Sequence, residues 1–490
     1  MAKCYTYFML DNTIKLKRLF IKVAAFLHQE KTTNFLFWLA CLILTGFLHY
    51  NHYVNGDEGV ILNGAWNLIN HQRLYSDFFE FIAPGGFYLV FGAWKIFGVS
   101  FLTAKILATF FVFLGAVGLF KTGQLIIKNK LINFLIPLFF ILMSGWWWII
   151  NHNLFNLVFL IWSEYFFIRG LYYLKNRDFV ISGLLAGLSV IFLQQKSLIF
   201  IGFLFLFLIF MAIEKKKRQY LQSDAIFIVA SLLPLFLFCF WPLNSIFYNL
   251  FQYPFLNYIS ANRISYLLFG IFIGCWFMVV WALSFIKEKS EAIRLLVFVQ
   301  LGLLCSAYPL PDIYHLTQIM FPLILLGFYL IWRFFQGYKS KIIRSSCFII
   351  FIIFLWALFV IDLAVAPPAF LDADKNKNKR NKFIDFVTAS CPGRYLYSGP
   401  FLPSLYFETR KLNPTAYSIL LTSQATAEQF NQALIDFKKN SPECAILGYS
   451  DSLERFNHVP DNVLENYIQN NYHLIYQVAG EPSIYKKNSR

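Results

Sequence analysis

The strongest constraint on this chain is a repeated alternation of long apolar runs with short basic clusters. Runs such as 199–213 and 348–360 hold almost no polar side chain. Backbone in lipid must satisfy its own hydrogen bonds, so segments of this kind fold as helices that cross a membrane. Only 14% of the residues are charged, against about 25% in a soluble domain, so much of the surface is not built to face water. Apolar runs and loop charges together predict about eleven spans, near 34–50, 100–120, 131–150, 154–174, 179–193, 198–213, 224–243, 265–286, 294–308, 316–334 and 345–366.

The loop charges give the orientation. One set of loops carries Lys121, Lys128 and Lys130, then Lys175 and Arg177, then Lys215 to Arg218, then Lys287, Lys289 and Arg294, then Lys339, Lys341 and Arg344. The amino terminus, with Lys15, Lys17, Arg18 and Lys22, shares that side, while the intervening loops hold only isolated cations: Arg73, Lys196 and Arg263. Positive charge is retained on the cytoplasmic side, so the amino terminus is expected there, and an odd number of spans puts the carboxyl end outside. The net charge of +16 therefore reads as topology, not as a nucleic-acid surface. The first apolar run is long and lacks a small-residue cleavage site, so it reads as a span and not a cleaved leader.

Three regions follow: a cytoplasmic segment 1–33, a transmembrane domain 34–366 and an extracytoplasmic domain 367–490. The loop 51–99 is too long for a plain connector. Ile61, Leu62, Ala65, Trp66, Leu68 and Ile69 recur at helical spacing, which predicts an amphipathic helix over 58–70 lying on the membrane surface. Ala83-Pro84-Gly85-Gly86 breaks the chain, and 87–97 reads as a second interfacial helix. After Pro367-Pro368 the composition becomes polar. Helical patterns near 382–390, 425–439 and 461–470 and strand-like runs at 394–397, 444–447 and 473–476 predict a small α/β domain. Cys391 and Cys444 both fall there and read either as a disulfide, if the domain is exported, or as two separate thiols; the other cysteines read as small core residues. Walker and dinucleotide-binding glycine motifs are absent, as are internal or inverted repeats.

Chemistry concentrates at Asn55-Gly56-Asp57-Glu58-Gly59. One reading is structural: Asp57 caps the helix and Glu58 sits in its first turn, favoured by the dipole. The other is functional: a carboxylate held at the membrane surface takes a proton from an acceptor hydroxyl. The string Asp57-Glu58-Gly59, Gly64-Ala65-Trp66, Leu74 to Glu80, Pro84 to Leu89 and Phe97-Gly98 resembles the first periplasmic loop of GT-C fold glycosyltransferases. It is most similar to the bacterial branch that includes the protein O-mannosyltransferase-like enzymes and the lipid A aminoarabinose transferase. The resemblance is clearest over about residues 45–125.

That resemblance implies an all-α polytopic membrane bundle with interfacial helices over an outward-facing cavity and a polyprenyl-phosphate-sugar donor. It implies that Asp57 acts as general base or orients the acceptor, with Glu58 as its neighbour. The acceptor, whether lipid, glycan or protein, is not specified, and the site is expected at the periplasmic face of the inner membrane, among membrane lipids. One departure stands out. Relatives often carry a Lys before the Pro pair of this loop, where this chain has Phe81-Ile82-Ala83-Pro84.

Breaking a sugar–phosphate bond builds negative charge on the leaving phosphate, so another cation is needed. The outer candidates are Lys196, Arg263 and His315, although a lone Lys at a span end also serves as a snorkelling anchor. His152 and Asn153 form either a turn beneath the aromatic belt of Trp146 to Trp148 or a polar rim for sugar hydroxyls. Asp312 reads as a second acid or a helix cap. Glu164 and Arg169, inside one span, read as paired or snorkelling. The histidines lack zinc-type spacing; Asp57 and Glu58 could share a divalent ion, though no full ligand set is evident. The competing readings are a transporter or lipid flippase without chemistry, and a non-catalytic envelope scaffold.

Overall fold

The structure, a computed structural model, describes residues 30–49, 56–147, 149–258, 266–286, 290–308, 311–337, 360, 369–449, 453 and 456–488. The helices in chain order are α1 (Glu30–His49), α2 (Gly56–Ile69), α3 (Gly85–Phe97), α4 (Phe101–Ile126), α5 (Lys130–Ser144), α6 (His152–Tyr173), α7 (Asn176–Val190), α8 (Gln194–Lys215) and α9 (Arg218–Leu232). After a tightly wound stretch and a break at Pro242 come α10 (Leu243–Phe247), α11 (Tyr266–Phe285), α12 (Glu291–Ser306), α13 (Ile313–Gln318) and α14 (Phe321–Gly337).

Each expected span before 345–366 coincides with a helix, and 345–366 lies outside the described residues apart from 360. Among the described residues, six helices are long and apolar enough to cross a membrane: Lys31–His49, Phe101–Ile126, His152–Tyr173, Gln194–Lys215, Arg218–Phe240 and Tyr266–Ser284. α5 and α14 are apolar but shorter. The chain is a membrane protein; with α5 and α14 the apolar helices number eight among the described residues, short of the eleven spans expected, because 179–193 and 294–308 fall on α7 and α12, of only 15 and 16 residues.

Local sequence explains the helix starts. The Ser100 hydroxyl accepts from the Thr103 amide at 3.0 Å, and the Asn129 and Asn151 side chains cap α5 and α6 in the same way. The bundle core is continuous, with α6 packed between α4 and α7 and α7 against α9. One alternative fails here: Arg169 does not pair with Glu164; it grips Asp178 at the start of α7 with two guanidinium nitrogens, while the buried Glu164 carboxylate meets no hydrogen-bonding group among the described residues. A two-pronged guanidinium fits a carboxylate held across a tight turn better than one a helical turn away on the same rod. α2 is buried within the chain: Ile61, Leu62 and Ala65 are inaccessible.

The reason α2 is buried is the carboxyl-terminal domain, which covers it. That domain holds α15 (Ala369–Ser390), β1 (Leu396–Pro400), α16 (Ser404–Thr409), α17 (Ala427–Asn440), β2 (Cys444–Gly448), α18 (Val463–Asn471), β3 (Tyr472–Tyr476) and β4 (Ser483–Lys487). The sheet order is β1-β2-β4-β3, with β1 and β2 parallel and the other pairs antiparallel. The sequence reading missed β4, a short edge-to-centre strand carrying Lys486 and Lys487 at its end. Cys391 and Cys444 are joined as a disulfide, which ties the end of α15 to the start of β2.

α16 packs on α2 so closely that a Cβ at Gly59 would meet the Ser404 backbone nitrogen at 2.7 Å, and one at Gly64 would strike Phe87 of α3 at 2.3 Å. These close approaches explain two glycines of the loop string. Three further contacts clamp the domain down. The Trp66 indole N–H donates to the Lys411 carbonyl at 2.9 Å, Trp94 stacks on Phe407 at 4.9 Å, and the Phe79 amide donates to the Ala416 carbonyl at 2.8 Å.

Candidate functional site

The site builds outward from the first turn of α2. Asp57 is not the cap residue, because the helix already includes Gly56; it stands in the first turn, half-buried. Glu58 points the other way. Its Oε1 accepts from Lys105 Nζ at 2.6 Å and from the Ile150 amide at 3.2 Å, and the two side chains are 1% and 4% exposed. Burying a charge is tolerated only when it is paired and hydrogen-bonded. Glu58 is thus an anchor that fixes the start of α2 against α4 and the turn before α6. The sequence reading did not single out Lys105. The available signal was an ionisable side chain inside an apolar span, which asks for a partner.

A polar cluster faces this turn. Asp312 caps α13: its Oδ1 accepts from the His315 amide at 2.8 Å and lies 2.8 Å from His315 Nδ1. Burial raises the Asp312 carboxyl, but the hydrogen bonds and charge of His315 outweigh it, so its pKa falls below the usual carboxylate value. Tyr314, the residue between them, is buried within electrostatic reach of Asp57, Glu58 and Asp312. Burial first, then the Asp57 charge, push its phenol well above the ordinary range, so it remains a hydrogen-bond donor at neutral pH. Nothing in the sequence singles out Tyr314.

Lys196, in the first turn of α8, is buried, and its ammonium donates to Asn153 Oδ1 at 2.8 Å. An ammonium only donates, which fixes the orientation of the Asn153 amide. The amide nitrogen then donates to Asn151 Oδ1 at 3.0 Å and to His152 Nε2 at 3.1 Å. Lys196 feels the charge of Asp312, and His152 feels both Lys196 and His315. The structure thus joins Asp312 to His315, joins Lys196 and His152 to Asn153, and puts Asp57 and Asp312 within electrostatic reach of Tyr314, from parts of the chain far apart in sequence. Arg263 lies outside the described residues. Among the described residues no three His, Cys, Asp or Glu side chains converge as a metal-ligand set.

A second buried carboxylate in the same loop went unnoticed in the sequence. Glu80 is 2% exposed, and its Oε1 accepts from the Ser418 hydroxyl of the carboxyl-terminal domain. Burial raises its pKa to about 8, partly offset by the Ser418 hydrogen bond. It borders a small crevice lined by Phe79, Phe81, Tyr253, Ser418 and Gln424. Before Pro84, Phe81 packs on Tyr253 with ring centroids 5.7 Å apart, and the Ile82 carbonyl accepts from the Tyr75 hydroxyl at 2.6 Å.

No protein-family model matches the sequence, and no curated protein matches it. Solved structures do resemble it. ArnT from Cupriavidus metallidurans bound to undecaprenyl phosphate superposes with a TM-score of 0.60 at 10% identity, over 93% of this chain and 98% of that one. The apo structure of the same protein gives 0.59 at 10% identity, with the same coverage. Both comparisons take in the bundle, the loop helices and the carboxyl-terminal domain together. The chain therefore has the fold of ArnT, the aminoarabinose transferase, a GT-C glycosyltransferase.

Proposed function

We propose that this chain is a glycosyltransferase that moves a sugar from a polyprenyl-phosphate carrier to an acceptor hydroxyl on a lipid, glycan or protein, with inversion, at the periplasmic face of the inner membrane. The observation that carries the reading is the polar cluster around Tyr314, assembled from separate helices at the end of an otherwise apolar bundle. The fold it shares with ArnT, solved with undecaprenyl phosphate, supports a polyprenyl-phosphate partner. The disulfide of the carboxyl-terminal domain supports an oxidising compartment for that domain.

In this reading Asp57 takes the proton of the acceptor hydroxyl as that oxygen bonds to the anomeric carbon. The bond from the anomeric carbon to the phosphate oxygen breaks on the opposite face. Charge grows on the departing phosphate, where the Lys196 ammonium and the Tyr314 hydroxyl supply donors in place of the Lys that the loop lacks. Asn153 and His152 meet the sugar hydroxyls. Glu58 touches no substrate; with Lys105 it holds the turn that presents Asp57. Membrane lipids surround the bundle, and the polyprenyl tail occupies an apolar groove between helices.

The experiment is sugar transfer from a radiolabelled polyprenyl-phosphate donor by the purified chain in lipid. Asp57→Asn should lower transfer about 10²–10⁴-fold, the usual worth of a positioned base, while the variant inserts and elutes like the parent. Undiminished transfer by that variant would refute the assignment.

A further inference from the structure

Residues 243–258, which the sequence reading placed in a plain loop, are helical throughout, with wide turns in which the Tyr253 amide donates to the Tyr248 carbonyl. The segment has two unlike faces. Leu243, Phe247, Phe251 and Phe255 follow one another at intervals of four and stand exposed, Phe247 at 62% and Phe255 at 72%. Ile246, Leu250 and Tyr253 point inward, with Leu250 at 1% and Tyr253 at 3%. The inner face is bonded to the rest of the molecule on three sides. The Leu250 carbonyl accepts from Gln194 Nε2 at 2.7 Å, two residues before Lys196. The Tyr253 hydroxyl donates to the Gln424 carbonyl at 3.0 Å. The Tyr253 ring packs on Phe79 and Phe81 at 4.8 and 5.7 Å.

We propose that segment 243–258 is a strap seated in the lipid interface, its exposed row covered by the bilayer and its inner face forming the wall between lipid and the cluster that contains Lys196. Three observations choose lipid as the occupant. The segment lies between two helices of membrane-spanning length, Arg218–Phe240 and Tyr266–Ser284, so both ends are tied to one membrane surface. It contains no charged residue. Its exposed row continues that of Phe236 and Phe240, at the end of the preceding span, without a polar interruption on that side. An uncharged helical segment with an apolar stripe at that depth lies in the plane of the interface. The strap makes the lateral approach to the site a lipid-facing one, which goes beyond the proposed transfer and does not depend on it.

The test places the photo-reactive amino acid p-benzoylphenylalanine at Phe247, Phe251 or Phe255 of the full chain in bilayers of phosphatidylethanolamine and phosphatidylglycerol, with Leu250 as the inward control. Irradiation should give, at the outward positions, a mass shift of one phospholipid on the peptide that contains them. At Leu250 it should give cross-links within the chain. A cross-link from the outward positions to a second copy, or to another protein in native membranes, overturns the proposal. So does a lack of lipid adduct at all the outward positions in protein that elutes as the parent does.

Discussion

The two buried glutamates of the loop between α1 and α4 solve one problem in different ways. Glu58 meets a lysine and a backbone amide, so its charge is balanced where it stands. Glu80 accepts from a serine hydroxyl across the boundary with the carboxyl-terminal domain, and burial drives its pKa to about 8. The first is a permanent ionic anchor inside the bundle. The second is a joint between two domains whose strength depends on a proton. The same side chain thus serves rigidity at one end of the loop and adjustability at the other, because only one end lies beside a span that carries a cation.

That contrast can be broken from either side. The largest effect should come from Lys105→Met, which strands the Glu58 charge: about 3–5 kcal/mol of stability is at stake when one partner of a buried pair is lost. Thermal unfolding in detergent should show it, and adding Glu58→Gln should restore most of the loss. If the single variant melts with the parent, the pair is not an anchor.

A mid-sized effect belongs to pH. The Glu80 carboxyl rises in the folded chain from an ordinary value of 4.5 to about 8, so the folded state binds the extra proton between those limits. Stability from this group is therefore full below about pH 4.5, falls as pH rises through that window and levels off above about 8. Glu80→Gln imitates the protonated form and should flatten this part of the unfolding profile. A slope that survives in the variant assigns the titration elsewhere.

Smaller again is Ser418→Ala, which removes the hydrogen bond that Glu80 accepts and should cost about 1 kcal/mol, read as a lowered midpoint in denaturant. The smallest expected change is at Arg410. Its guanidinium lies over the Trp66 and Phe407 rings at 5.3 and 4.7 Å but is exposed, so Arg410→Ala should cost about 0.5–1 kcal/mol. A larger loss there than at Ser418 would mean that the clamp over α2, and not the Glu80 joint, holds the carboxyl-terminal domain.

Much of the architecture was legible because its causes are local. Apolar runs set the helices, and the strand-like runs at 394–397, 444–447 and 473–476 overlap β1, β2 and β3. Where local signals mislead, a distant element has intervened. The pattern of α2 is that of a surface helix, yet α16 covers its other side, and Gly59 is small because a backbone some 345 residues away touches it. The outer loop expected at 244–263 is helical up to 258, a local structure that the search for spans does not announce.

By itself the sequence determined that this is a helical membrane protein with a separate carboxyl-terminal α/β domain, since lipid leaves backbone no other way to satisfy itself and the loop polarity is written in residue type. It also drew attention to Asp57, Lys196 and the residues near His315. Only the tertiary structure decided that Asp312 meets His315, that Lys196 meets Asn153, that Glu58 is bound to Lys105, and that Cys391 bonds Cys444. The physical reason is separation along the chain. Glu58 and Lys105 are 47 residues apart and Glu80 and Ser418 are 338 apart, and no local pattern encodes contacts that form only when whole helices and domains pack.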